Sequence, residues 1–268
     1  QQLHERNEDL DAFSHTVAHD LKNPLGTIMS FADLLIEGYS ELSKDEILNY
    51  LSIIIKDSKK TQQIINNLLL FASVRKAEIK TEELNMGDIV TESINSLTPI
   101  IEKSNAEIIL PDVWPTAVGY SPWVEEVWIN YLSNAIKYGG TPLRIEIGAD
   151  TDKVENVPKG MIRFWVRDNG PGISACNQKL LFKKFERLDQ VKTEGHGLGL
   201  SIVHHIIEKL GGQVGMESNK GSLFYFTLPH ACKTEEKVTV KSKTVDIKKD
   251  NKLSKLKILI AEDEESAD

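Results

Sequence analysis

The sequence predicts an α+β protein built in two parts: an N-terminal helical hairpin that pairs with a second copy as a dimeric four-helix bundle, then an α/β sandwich. Three observations predict it. As far as Phe71 the apolar residues recur at the helical spacings of three, four and seven. Beyond Phe71, short alternating or β-branched runs take turns with shorter helical stretches. A chain of 268 residues with 40% apolar content is also long enough to bury two cores.

Gln1 to Asp11 is a polar, heptad-like lead without an initiating Met, like a coiled-coil connector, so the native protein is expected to be longer. Leu10, Phe13, Val17, Leu21, Ile28, Phe31 and Leu35 form the apolar stripe of the first helix. Pro24 falls inside that helix, removes a backbone hydrogen bond, and is expected to kink it. Gly38-Tyr39-Ser40 breaks the pattern, and Ser43, three residues ahead of Glu46, is the expected N-cap of the second helix. The second stripe runs through Ile47, Leu51, Ile54, Ile65, Leu68 and Phe71. Two helices joined this way cannot bury both stripes alone, and a homodimer completes the bundle. The hairpin occupies residues 1–76.

Arg75 to Glu83 is a charged connector, and the second domain, 84–230, begins near Leu84. Strands are expected at Glu107 to Leu110, Leu143 to Ile147, Met161 to Arg167 and Leu223 to Leu228, and helices over Trp123 to Lys137 and Leu198 to Leu210. From His230 to about Ser254 the chain is polar and Lys-rich, the composition of a flexible linker at 231–254. The terminal L-K-I-L-I-A-E-D-E-E from Leu256 is a buried-strand pattern ending in acids, so a further domain is expected to start within 255–268.

Composition excludes several function classes. A net charge of −8 argues against a nucleic-acid surface. Cys176 and Cys232 are too few and too isolated for a disulfide framework or a zinc site, so a reducing, cytoplasmic compartment is expected. No apolar run reaches the roughly 18 residues of a membrane span, and no secretory signal opens the chain.

Four groups of residues carry chemistry. His15 and His19 both fall off the first stripe, and Asp20 follows the second of them. A carboxylate that accepts the Nδ1 proton leaves the Nε2 lone pair free as nucleophile or base. Helical geometry alone does not choose between the two histidines, and most exposed helical histidines are simply solvated. Their spacing of four also suits a metal, but no third ligand accompanies them. Asn130 and Asn134 share one face of the Trp123 to Lys137 helix, with Lys137 and Tyr138 at its end, and amide oxygens suit Mg²⁺. R-D-N-G-P-G-I, Arg167 to Ile173, ends a strand in an acid followed by two glycines around a proline; standing alone it is an ordinary tight turn. G-H-G-L-G-L, Gly195 to Leu200, precedes a helix, where glycines let backbone N–H groups approach phosphate. No G-x-x-x-x-G-K-[ST] occurs, which excludes a P-loop.

The order and spacing of five motifs resemble the sensor histidine kinases of two-component systems. H-D-L-K-N-P-L from His19 resembles their phosphoacceptor box, and V-W-I-N-Y-L-S-N-A-I-K-Y from Val127 their N box. D-N-G-P-G-I looks like the G1 box, L-F-K-K-F-E-R-L-D from Leu181 like the F box, and G-H-G-L-G-L like the G2 box. The resemblance covers about residues 10 to 229 and implies a dimerising phosphoacceptor hairpin followed by an ATP-binding domain of the gyrase, Hsp90, kinase and MutL type. It implies His19 as phosphoacceptor, Asp20 as the carboxylate that orients it or takes its proton, and Asn23 as the amide of a second, dephosphorylating activity. Asn134 and Asn130 would hold Mg²⁺ and the phosphates of ATP, Lys137 would add charge, and Tyr138 would pack on the nucleotide. Asp168 would accept from the adenine amino group, Gly170 and Gly172 would make room for the base, and Arg187 would help neutralise the γ-phosphate. Gly195, Gly197, Gly199 and Leu200 would shape a lid. Its partners would be a response-regulator receiver domain, in cis or in trans, and an upstream sensor domain absent from this chain.

Some positions depart from that pattern. Ser218 to Pro229 looks like a shortened final glycine box with Gly221 and no second glycine, and Glu186 stands where an aromatic is common. The terminal I-L-I-A-E-D-E resembles the first strand and acidic pair of a receiver, Glu262 and Asp263, as in a hybrid kinase. Two rival classes are a non-kinase ATPase of the same fold, which would not need the hairpin, and a dimeric signalling scaffold, which would not need the nucleotide residues.

Overall fold

The computed structural model describes residues 2–76, 79–151, 157–174, 177–178, 198–231 and 258–261. The chain divides into two compact units, the first made of Gln1–Ala77 and Lys179–Ile202 and the second of Glu78–Gln178 and Val203–Asp268.

The first unit is the hairpin of α1, Gln2–Gly38, and α2, Lys44–Lys76. Helix α1 runs through Pro24 without interruption. The missing N–H and the ring affect only the preceding turn, and the helical pattern continues on both sides, so the proline does not divide the helix. Asp20 and Pro24, one turn apart, are the buried residues of Val17–Gly38, while Val17, Leu21, Ile28, Phe31 and Leu35 are half-buried. Phe31 meets Tyr50 of α2 with ring centroids 5.1 Å apart. The α2 stripe differs from expectation: Ile64, Phe71 and Val74 are its buried residues, whereas Leu51 and Ile65 are exposed. Ile64 and Ile65 are adjacent and so lie on faces about 100° apart; the orientation adopted by the paired helix buries the first and turns the second out. The expected cap is present. The Glu46 N–H donates to Ser43 Oγ at 3.3 Å, and Glu46 Oε2 accepts from the Ser43 N–H at 2.9 Å and its hydroxyl at 2.6 Å, a closed capping box.

The second unit holds β1 (Glu82–Leu84), α3 (Met86–Ser104), β2 (Glu107–Pro111), β3 (Ala117–Gly119), α4 (Ser121–Tyr138), β4 (Arg144–Asp150) and β5 (Met161–Asp168). The unit boundary falls within α5 (Leu198–Lys209), whose residues from Val203 on belong to the second unit, and that unit continues with β6 (Val214–Asn219), β7 (Gly221–Pro229) and β8 (Ile258–Ala261). All four expected strands and both expected helices are present. Helix α3, strand β6 and the small antiparallel β1–β3 pair were not anticipated. The six-stranded sheet has the order β6-β7-β5-β4-β2-β8, antiparallel from β6 to β4 and parallel across β4-β2-β8. Strand β8 is the terminal apolar run, set beside β2 with Ile258 opposite Ile108; the linker and Glu262 and Asp263 lie outside the described residues.

Helices α3 and α4 pack together, and α4 lies against β5, giving the layered α/β arrangement the sequence predicts. Alternation along β5 buries Ile162, Phe164, Val166 and finally Asp168. The core centres on Trp128 of α4, fully buried, with its ring edge-on to Phe226 at 5.2 Å and to Phe164 at 6.2 Å. Its indole N–H donates to Met86 Sδ at 3.1 Å, tying α4 to the start of α3. On the next turn Tyr131 is buried and its hydroxyl donates to the Tyr225 carbonyl at 3.1 Å. No helix among the described residues is long and apolar enough to cross a membrane.

Candidate functional site

Two sets of side chains emerge, one on each unit. On α1, His19 is more than half exposed, and its Nδ1 lies 3.3 Å from Oδ1 of the buried Asp20. One turn on, the Asn23 amide Nδ2 lies 3.3 Å from His19 Nε2. Both contacts agree on one tautomer: an N–H at Nδ1 facing the carboxylate, and a lone pair at Nε2 accepting from the amide. The lone pair is thus on Nε2, and Asn23 is the group that touches it. The side chain of His15 lies outside the described residues, and with it any metal shared between the two histidines.

On the second unit the inward face of β5 ends in a carboxylate. Asp168 Oδ1 accepts from the Gly170 N–H at 2.8 Å and from the Ser222 N–H at 3.2 Å. Burial pushes the carboxyl above its usual range, and the two N–H groups and the Ser222 hydroxyl pull the other way. Two glycines allow this geometry. A Cβ on Gly170 would run into the Tyr138 carbonyl, and one on Gly221, at φ +98°, into the carbonyl of Asp168 itself. Gly172 also sits at positive φ, +76°.

The neighbouring Asn169 is a residue whose role the sequence reading missed. Its Oδ1 accepts from the Gly140 N–H at 3.1 Å and the Arg144 N–H at 3.0 Å, and its Nδ2 donates to the Pro142 carbonyl at 2.6 Å. It therefore fastens the α4–β4 turn to the end of β5. The available signal was its place in D-N-G-P-G-I, since Asn habitually bonds nearby backbone; its partners, 25 to 29 residues away, carried no such signal. Ser222 and Gly221 belong to the shortened glycine segment and turn out to serve Asp168.

At mid-α4, Asn134 Nδ2 donates to Asn130 Oδ1 at 3.2 Å, with both side chains half-buried. This bond fixes the pair and leaves the Asn134 carbonyl oxygen as an acceptor for a hard cation; oxygen-only donors of this kind fit Mg²⁺ completed by water and phosphate. At the end of the helix the Lys137 ammonium lies 4.9 Å from the centroid of the Tyr138 ring, and both residues are exposed. Asn130, Asn134, Lys137, Tyr138, Asp168, Gly170 and Gly172 therefore all lie on α4, at the end of β5 or in the segment that directly follows it. Gly199 and Leu200 fall in the first turn of α5 rather than in a loop before it. Arg187, Gly195 and Gly197, like Glu186, lie outside the described residues.

Known proteins agree with this arrangement. Residues 9–76 match the His Kinase A (phospho-acceptor) domain, and residues 119–231 match the histidine kinase-, DNA gyrase B- and HSP90-like ATPase. The chain is 32% identical over 232 residues to cyanobacterial phytochrome B of Nostoc sp., covering 85% of this chain and 30% of that protein. It is 33% identical over 228 residues to the methanogenesis regulatory histidine kinase FilI of Methanothrix harundinacea, covering 84% of this chain and 25% of that protein. It therefore spans less than a third of the length of either relative. Among solved structures, histidine kinase AdeS of Acinetobacter baumannii shares the fold with a TM-score of 0.60 at 18% identity, over 80% of this chain and 98% of that one. Histidine kinase ThkA, solved with the response regulator protein TrrA, does so with a TM-score of 0.66 at 23% identity, over 85% of this chain and 64% of that one. With a phosphoacceptor hairpin and a nucleotide-type sandwich joined in one chain, and with both family domains matched in that order, this protein belongs to the sensor histidine kinases.

Proposed function

We propose that the chain transfers the γ-phosphoryl group of ATP to His19 Nε2 and passes it on to an aspartate of a response-regulator receiver. The observation that carries this reading is the polarised His19: a buried carboxylate at Nδ1 and a lone pair at Nε2. In the transfer the Nε2 lone pair bonds to the γ-phosphorus, the bond from that phosphorus to the β–γ bridging oxygen breaks, and the electron pair leaves with ADP. Asp20 holds or takes the Nδ1 proton as positive charge builds on the ring. The Asn23 amide must move off Nε2 for attack. The same amide supports a second activity, hydrolysis of the partner's phosphoryl group. Asp168 would accept from the adenine amino group, with Gly170 and Gly172 leaving room for the base and Tyr138 offering a ring to the nucleotide, a reading supported by the burial of Asp168 at the end of β5. Asn134, with Asn130 fixing it, would hold Mg²⁺, which when bound supplies charge to offset the phosphates. Lys137 and Arg187 add positive charge for the same purpose, and Gly195, Gly197, Gly199 and Leu200 shape the lid.

A homodimer is supported by exposed apolar residues on both hairpin helices, among them Leu25, Met29, Leu51, Ile55 and Ile65, which a four-helix bundle would cover. A receiver partner, in cis or in trans, is supported by the ThkA structure, solved with a response regulator. An upstream sensor and a reducing, cytoplasmic setting complete the reading. Incubation with γ-labelled ATP and Mg²⁺ is expected to give acid-labile, alkali-stable label that disappears in His19→Gln. Label on another residue would overturn the assignment, and turnover of ATP without label would favour a plain ATPase of this fold.

A further inference from the structure

We propose that α5 carries a binding site for a divalent transition metal, of the zinc class, made by His204, His205 and Glu208. The ligand atoms of the three side chains lie within 4.8 Å of one another. The sequence positions explain why. Glu208 is four residues beyond His204 and three beyond His205, the two spacings that bring helical side chains onto one face. His204 Nδ1 is shielded from solvent and makes no hydrogen bond among the described residues; Glu208 Oε2 stands 3.8 Å away, beyond hydrogen-bonding distance. A shielded imidazole nitrogen facing a carboxylate oxygen across that gap is an arrangement that a cation between them would satisfy.

The donor set selects the metal. Two imidazoles and one carboxylate suit Zn²⁺, with Ni²⁺ and Cu²⁺ as chemical neighbours, whereas Mg²⁺ prefers oxygen alone. The site is therefore chemically distinct from the asparagine pair on α4. Tetrahedral zinc with bonds of about 2.0–2.2 Å places its ligands roughly 3.3 Å apart, so the three groups must close by somewhat more than 1 Å. Glu208, with 68% of its side chain exposed, is free to make that movement. Three protein ligands leave a fourth position for water or a group from another molecule. Joining adjacent turns of α5 would hold this helix against fraying.

The test uses the whole chain, metal-free and without nucleotide, titrated with Zn²⁺ by calorimetry and with Co²⁺ as a spectroscopic probe of coordination. One equivalent is expected to bind in the wild type and equally in His15→Ala, with a rise in melting temperature. Loss of an outer-shell partner alone typically costs ~10–100-fold in metal affinity, so His204→Ala and Glu208→Gln are each expected to cost about 100-fold or more, and His205→Ala to weaken binding likewise. Melting of the metal-free variants at the wild-type temperature would confirm that they fold. Unchanged affinity in both His204→Ala and Glu208→Gln, loss of the site in His15→Ala, or no stoichiometric binding in the wild type would overturn the proposal.

Discussion

Asp168 occupies the last inward position of β5, a slot that Ile162, Phe164 and Val166 fill with apolar side chains on the same face. A carboxylate there is costly, because burial disfavours its charged form. Its folded pKa lies above the unfolded one, so the folded state holds the proton more tightly; stability falls as pH rises through that interval, and the charged form weighs against folding at neutral pH. Asp168→Asn is therefore expected to raise the melting temperature of the nucleotide-free chain near neutrality while removing ATP binding in calorimetry. The gain should shrink as pH falls and the wild-type carboxyl takes up its proton. A variant that bound ATP normally would remove Asp168 from the nucleotide site. At this scale His19, Asp20 and Asp168 were legible as candidates through the motifs they stand in, since alone each read equally well as a solvated face or a tight turn. Asn169 was not, because its importance lies in three bonds to a turn far back in the chain.

Elements were legible where local signals sufficed. The Ser43–Glu46 capping box needs only two residues three apart, and it formed as expected. The Ser43 hydroxyl and then its backbone N–H hold the Glu46 carboxyl below its usual 4.5. That contribution is present above the unfolded pKa and is lost as pH falls through the lowered folded value. Helicity followed by circular dichroism should show the start of α2 weakening across this acid range in the wild type. Ser43→Ala should melt lower near neutrality and lose most of the dependence; an unchanged pH profile would sink this account. The α2 stripe was less legible, because adjacent isoleucines at 64 and 65 offer two faces and only the partner helix selects one. Helix α3 was overlooked although Ile89, Val90, Ile94, Leu97 and Ile101 recur at helical spacing and are all buried.

The second unit owes its cohesion as a whole to the packing of α4 onto the sheet through Trp128. Removing that side chain leaves a cavity between Phe164, Phe226 and Trp114 and takes away the donor to Met86. Trp128→Ala is expected to cost about 3–5 kcal/mol in denaturant unfolding. ATP affinity should fall with it, because Asn130 and Asn134 ride on the same helix; retention of full stability would show that the core closes over the gap. What the sequence by itself determined was the fold class, four of the strands and two of the helices of the second unit, and His19, Asp20, Asn134 and Asp168 as candidates, because periodicity, caps and motif residues are local. Only the tertiary structure decided which face of α2 is buried, that Asn169 clamps the α4–β4 turn, and that Gly221 yields to the Asp168 carbonyl. Each of these depends on how elements distant in sequence pack in space, and no local pattern encodes that.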